Sequence, residues 1–387
     1  MLRTIVVCED EPVTLAVEGL ALDTQLIQVS KASDLFPASE YDAVRLLRQH
    51  DPELVILAAT NPERAMEIGL IMRNGSPEVA VIVLGPELPE TMIAAYRTAG
   101  VEFLAPPLTP DMLIAAARNA VHAARTDLTR NTLVFLPAKA GSGASTLALN
   151  VASAFGKTLS RKTLLLEADL HSGILSLSLN VKPRKALIDV LQNAAELDAS
   201  LWGGIVVPVD GMDLLPTDRA KKLPLPSWLN YHDLLKFAAG RYERIIVDLP
   251  EVVNDATAEF VHYAHTVYVV CTPELPSLTL AEQRLKELAA KGLPAGRAEV
   301  VINRWHKGDI SAAEVEKLLG VKVGAVIQND YRTLHKATLS GSAVKPDTDL
   351  GKAFLNFAKK LESPQGEGRA PSQASFSLLK ALRSSRA

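Results

Sequence analysis

Two successive series of short apolar runs alternating with helical patterns predict an α/β protein of two doubly wound domains, each built on a mostly parallel sheet. Three observations carry this reading. The chain has 387 residues, more than one compact core usually holds. The order apolar run, helix, apolar run repeats on both sides of a polar stretch near residue 125, and Gly or Pro punctuates the joins. The expected organisation is a first domain over 1–125, a linker over 126–131, a second domain over 132–362, and a flexible linker with a short tail over 363–387.

In the first domain the apolar runs are Thr4–Cys8, Glu53–Leu57, Val79–Gly85 and Val101–Pro106, with helical stretches such as Glu40–His50 and Glu90–Gly100 between them. Thr109-Pro110-Asp111 opens a capped helix with Pro at its first position. The second series has expected strands at Leu133–Leu136, Thr163–Glu167, Arg244–Leu249, Thr266–Cys271, Ala298–Ile302 and Val323–Ile327. One intervening helix carries its own start and stop signals, a capping box of Ser311 and Glu314 and a terminal Gly320. No internal repeat is present.

Composition excludes several classes. With 48% hydrophobic and 22% charged residues the chain reads as an ordinary soluble protein, and no apolar run approaches the roughly eighteen residues of a membrane span. Met1 leads straight into a strand-like run without the apolar region of a signal peptide, so a cytoplasmic location is expected. Cys8 and Cys271 each close an apolar strand-like run and read as core thiols, and the eight His show no metal-ligand spacing. A net charge of −3 offers no global attraction to nucleic acid, leaving at most a local basic face.

Residues 1–125 resemble the receiver domains of two-component response regulators. Glu9 and Asp10 follow the first strand, where that family keeps its magnesium-binding acids, and Asp51–Leu57 matches the approach to the phosphorylated Asp. The acceptor position itself is Ala58, a methyl group where phosphoryl transfer needs a carboxylate nucleophile. Gly85 stands in place of a hydroxyl residue and Pro106 in place of the phosphate-pairing Lys, so no phosphorelay is expected. Without an acceptor, Glu9 and Asp10 also read as a solvated strand end. The resemblance then implies a docking or dimerisation module.

The second domain opens with Leu133–Leu136, then Pro137-Ala138-Lys139-Ala140-Gly141-Ser142-Gly143-Ala144-Ser145-Thr146, then a helical run. A strand, a glycine loop and a helix N-terminus in this order present backbone N–H groups to phosphate, with Gly141, Ser142, Gly143, Ala144, Ser145 and Thr146 as the cradle. Ala144 occupies the usual P-loop lysine position. Lys139, five residues earlier, resembles the signature lysine of the deviant P-loop of the MinD/ParA family, which implies that it reaches the partner's phosphates across a nucleotide-sandwich homodimer. The same resemblance implies ATP and Mg²⁺ as cofactors. It makes Asp169 the carboxylate that orients the attacking water, Ser145 a direct Mg²⁺ ligand, Asp248 a ligand through water, and Asn303 the reader of the adenine edge. Each has a plainer reading, Asp169 and Asp248 as helix caps and Asn303 as a turn residue.

The whole arrangement resembles the CpaE/TadZ branch of pilus localisation ATPases, through Ala186–Leu191, Gly211–Pro216, Thr272–Leu278 and Val326–Tyr331 as well. That resemblance implies an ATP-binding, slowly hydrolysing dimer that positions pilus or secretion machinery at the cytoplasmic face of the inner membrane. Two alternatives stand beside it: an inert scaffold, favoured by Ala58, Pro106 and Ala144, and a ParA-like DNA-partitioning ATPase, disfavoured by the charge. In the tail, a helix over Phe376–Arg386 puts Phe376, Leu379 and Leu382 near one face flanked by Lys380, Arg383 and Arg386. Such a segment suits weak contact with an anionic membrane surface, docking on protein, or no fixed structure.

Overall fold

The computed structural model describes residues 1–33, 36–124, 131–218, 226–254, 257–291, 293 and 296–362, which fall into two compact units. Both the expected linker, but for Asn131, and the expected tail lie outside the described residues.

The first unit alternates β1 (Leu2–Cys8), α1 (Glu11–Asp23), β2 (Ile27–Ser33), α2 (Glu40–His50), β3 (Leu54–Ala58), α3 (Pro62–Gly75), β4 (Ala80–Leu84), α4 (Glu90–Thr98), β5 (Val101–Leu104) and α5 (Pro110–Ala124). Its five strands form one parallel sheet in the order β2-β1-β3-β4-β5. The order reverses between β1 and β3, so the loops after these two strands diverge and leave a crevice at their C-terminal ends. β3 and β4 are buried at every position, as strands covered by helices on both faces should be. The predicted start of α5 is present: Thr109 Oγ1 accepts from the Met112 N–H at 3.2 Å. The strand β2 is missing from the sequence reading because its own pattern is mixed. It lies at the sheet edge, and Gln28, Ser30 and Lys31 leave it little apolar periodicity.

In the second unit β6 (Thr132–Pro137) leads into α6 (Ala144–Ser153), whose last turn widens to π geometry over Ala154–Thr158. Then come β7 (Thr163–Glu167), α7 (Leu175–Ser178), α8 (Leu187–Gln192), α9 (Ala199–Gly203) and the antiparallel pair β8 (Val207–Val209) and β9 (Met212–Leu215). After these lie α10 (Trp228–Ala239), β10 (Arg244–Asp248), α11 (Ala258–His262), β11 (Thr266–Cys271) and α12 (Leu275–Ala290). The unit closes with β12 (Ala298–Trp305), α13 (Ala312–Leu319), β13 (Val323–Gln328), α14 (Tyr331–Leu339) and α15 (Asp349–Glu362). The eight-stranded sheet runs β13-β12-β11-β6-β10-β7-β9-β8, parallel except at the β8–β9 pair. The sequence reading passes over β8 and β9, which together hold too few residues for a period to register.

Helices cover both faces of this sheet. One apolar layer packs Trp202, Tyr231, Leu234 and Phe260 against β7, β10 and β11; the other packs α6 and α15 on Phe135, Tyr268 and Phe357, whose rings stack or meet edge to face. Polar groups inside the first layer are paired. Trp202 Nε1 donates to the Tyr242 hydroxyl at 2.8 Å, and that hydroxyl donates to Asp213 at 2.7 Å. Cys8 and Cys271 are free, buried thiols, as expected. The α13 capping box is present too, with Glu314 accepting from the Ser311 N–H at 2.9 Å and Gly320 at φ 69°.

The β8–β9 hairpin is held against the end of α6 without space between them. A Cβ on Gly156 would lie 2.1 Å from the Gly211 carbonyl oxygen, which is backbone and cannot swing aside. Gly156→Ala is therefore expected to lower unfolding stability by about 1–3 kcal/mol, measured by denaturant melts, with no comparable loss for Gly203→Ala, where a Cβ meets nothing within 4 Å.

Candidate nucleotide-binding site

The central position of β6, between β11 and β10, gathers the loops after β6, β7, β10 and β12 at one edge of the second unit's sheet. The chain leaves β6 with Ala138 N–H bonded to the Val270 carbonyl at 2.9 Å, then turns through Lys139–Gly143 into α6. Two residues of that turn hold positive φ, Gly141 at 79° and Gly143 at 96°, the backbone region that favours glycine. The Ser142 N–H closes the turn on the Lys139 carbonyl at 3.1 Å. Beyond it, the first N–H groups of α6, from Ala144 onward, have no carbonyl partner within the helix and sit at its positive end. This is an anion cradle of the kind the sequence pattern anticipates.

The structure brings Asn303 and the loop together. Asn303 lies within β12 and is 9% exposed, and its Nδ2 donates to the Ser142 carbonyl at 2.8 Å. The contact is tight enough that a Cβ on Gly143 would come within 2.2 Å of that same nitrogen. The strand continues past Ile302, where the sequence reading ends it, with Arg304 at φ 56° and a register shift against β13. Asn303 thus braces the loop from β12, across the intervening β11.

Asp248 ends β10 with its Cα partnered to Phe135 on one side and Glu167 on the other. Its carboxyl is almost wholly buried, and Oδ1 has no hydrogen-bond partner. Burial pushes its pKa up to about 8; the Ser145 hydroxyl acts in the opposite direction, and the charges of Glu167 and Asp169 add to the rise. The Ser142 hydroxyl is a second buried polar atom without a partner. An unpartnered carboxyl oxygen and an unpaired hydroxyl beside a phosphate cradle fit a hydrated divalent cation and phosphate oxygens. Among the described residues no group of three or more His, Cys, Asp or Glu is placed to hold a metal alone. The donor set therefore suits Mg²⁺ arriving with phosphate and water ligands, not a metal caged by protein.

The two acids of the β7 end do different work. Glu167 is fully buried; it accepts from the Leu175 N–H at 2.6 Å and the Thr217 N–H at 2.9 Å, tying two loops to the strand. Asp169 Oδ1 accepts from the His171 and Ser172 N–H groups at 3.0 and 2.8 Å, so it caps a turn and not a helix, α7 beginning only at Leu175. Lys139 is half-buried and makes no side-chain hydrogen bond or ion pair among the described residues. Ala144 is buried at the first position of α6, so no amine rises there.

Sequence reasoning misses Glu251. It accepts from the Ala140 N–H through Oε2 at 2.8 Å and pairs through Oε1 with Arg284 of α12 at 3.2 Å. Arg284 also pairs with Glu287. The available signal was an acid three residues beyond Asp248, following a Pro that forces the chain away from the strand.

In the first unit, the loops after β1, β3 and β4 line a cavity of about 670 Å³ that includes Cys8, Ala58, Gly85 and Pro106. Glu9 is committed elsewhere, accepting from the Thr60 N–H at 2.8 Å and pairing with Arg64 at 3.2 Å. Ala58 is buried at the end of β3, and no carboxylate stands at that point.

A strand, a glycine turn and a helix, set in the middle of a mostly parallel sheet beside a buried strand-end acid, define a P-loop-type α/β protein. The comparisons narrow the class. No protein-family model matches the chain. The septum site-determining protein MinD of Thermotoga maritima is 26% identical over 248 residues, covering 62% of this chain and 89% of the relative. A virulence plasmid ParA family protein of Chlamydia psittaci is 22% identical over 248 residues, covering 60% of this chain and 94% of the relative. Among solved structures, the ParA family ATPase of Chlorobium tepidum superposes with a TM-score of 0.55 at 26% identity, covering 60% of this chain and 98% of its own. About 60% of the chain is thus homologous to the MinD/ParA superfamily of ATPases.

The buried acid gives a test. A carboxyl whose pKa is raised in the fold contributes stability that is fully present below its unfolded value, near 3.8, and lost as pH rises through about 8. Asp248→Asn is expected to flatten that dependence, so that in urea melts the variant gains on the parent protein steadily between pH 5 and pH 8.

Proposed function

We propose that the chain is an ATP-binding, slowly hydrolysing localisation protein of the CpaE/TadZ kind, which dimerises around nucleotide and positions pilus or secretion machinery at the cytoplasmic face of the inner membrane. The observation that supports it best is the pairing of an anion cradle at α6 with the buried Asp248 carboxyl, whose Oδ1 has no partner, at the end of the adjacent strand β10. Gly141 through Thr146 would hold the phosphates. Ser145 and Asp248 would hold Mg²⁺, which when bound neutralises phosphate charge. Asp169 would orient water, and Asn303, next to the loop, would face the base. Lys139, half-buried with no partner of its own among the described residues, is the amine available to a second copy's phosphates.

In this reading the first unit is a receiver-like domain without its phosphorylation chemistry, consistent with its strand order and with Ala58, Gly85 and Pro106 at the ends of β3, β4 and β5. It serves as a docking module. Ala144 favours one rival, a scaffold that holds nucleotide without turning it over, because no loop lysine steadies the charge that develops on the transferred phosphoryl group.

Calorimetry of the full chain with ATP and Mg²⁺, alongside light scattering, tests nucleotide binding and dimerisation, and turnover separates the two readings. The expected result is binding accompanied by a doubling of mass, with the doubling lost in Lys139→Ala; no binding at millimolar ATP would sink the proposal. Ala144→Lys is expected to raise the turnover number by about 100–1,000-fold, the scale of one restored electrostatic contact. An unchanged rate in a variant that still binds ATP would favour the scaffold.

A further inference from the structure

The cavity of about 670 Å³ at the C-terminal edge of the first unit's sheet falls within the size range of small-molecule sites, roughly 300–1,000 Å³. Its floor is made by strand ends, with Cys8 of β1, Ala58 of β3 and Leu84 of β4 all buried. One wall is α1, through Ala16, Val17 and Leu20, and Pro106 and Leu108 line it from the loop after β5. The space exists because Ala58, Gly85 and Pro106 carry a methyl group, a hydrogen and a compact ring, none of them long enough to fill it.

The charge in this lining has one sign. No Lys, Arg or His lines the cavity. Of its two acids, Glu9 is already matched, by the Thr60 N–H and by Arg64. Asp10 is not: it is exposed, its carboxylate caps no amide of α1, and it makes no side-chain hydrogen bond or ion pair among the described residues. The negative field reaches the cavity floor. Burial pushes the Cys8 thiol pKa up, hydrogen bonds with Thr14 and Ala58 pull it back, and the charges of Asp10 and Glu18 add to the rise. An anion, phosphate included, would meet this field with no cation to receive it. An apolar body with a cationic head is complementary at both ends.

We propose that this cavity is a ligand site for a small amphipathic amine, its apolar body lying among Val17, Leu20, Ala58 and Leu84 and its ammonium group at Asp10. The site belongs to the first unit alone and is independent of nucleotide binding by the second.

Three probes that share one apolar body test it: phenylbutylamine, phenylbutanol and phenylbutanoate, titrated into the full-length protein by calorimetry at neutral pH. The amine should bind about 10-fold more tightly than the alcohol, the scale of one hydrogen bond to a charged group, and the carboxylate should bind most weakly. Asp10→Asn should remove most of the preference for the amine and leave the alcohol's affinity unchanged. Methyl-labelled NMR spectra should place the amine by shifts at Ala16, Leu20 and Ala58, which locates the site without any substitution. Ala58→Phe, which fills the floor, should weaken amine and alcohol alike with the circular dichroism unchanged. The proposal is overturned by no binding of the amine at millimolar concentration, by an amine bound no more tightly than the alcohol or the carboxylate, by a preference that survives Asp10→Asn, or by methyl shifts confined to other residues.

Discussion

The second unit depends on one constraint: β6 lies between β10 and β11, with strands on both sides, so its backbone is fully engaged in the ladder until Pro137. Everything after Pro137 must turn sharply to reach α6 on the sheet's face. Gly141 and Gly143 make that turn at positive φ, and the loop closes a backbone bond on itself at Ser142 and Lys139 while its other groups bond outside it. Neighbouring strands supply what is missing: Val270 of β11 accepts from Ala138, Asn303 of β12 donates to Ser142, and Glu251, just past β10, accepts from Ala140. The phosphate-facing amides at the start of α6 are what this bracing leaves over.

The first unit is also built on a parallel sheet flanked by helices, with a different outcome. Its strand order also opens a crevice at the C-terminal edge of the sheet, but Ala58, Gly85 and Pro106 bring no charged group to its lining, which takes its charge from Glu9 and Asp10. Acidic side chains sit at its rim along α1, and the one nearest the strand end, Glu9, is neutralised by Arg64. The result is a crevice suited to apolar contact framed by negative charge, where the other unit has a polar cradle framed by buried acids.

Much of this architecture was legible in the sequence because buried parallel strands are continuous apolar runs, and β3, β4, β7, β10 and β11 all announce themselves that way. Of the elements that escaped notice, β2 and β8 lie at sheet edges, where burial no longer dictates composition, and β9, inside the sheet, holds only four residues. The glycine turn and the strand-end acids were legible from type and order alone. Their partnerships were not. That Asn303 reaches back across β11 to the loop, that Glu167 serves two loop amides, and that Asp169 caps its own turn are facts of distance between segments remote in the chain. Glu251 escaped for the same reason: its partners, Ala140 and Arg284, lie on opposite sides of it in sequence.

The sharing of Glu251 between the loop and α12 has a mechanical side. One carboxylate grips a backbone N–H of the glycine turn with one oxygen and, with the other, an arginine on a helix of 16 residues. Arg284 is 12% exposed and also braced by Glu287, so it is a stiff strut with little freedom to follow a wandering acid. Displacement of α12 along its axis therefore tugs on the turn directly, and a change of shape in the turn pushes back on the helix.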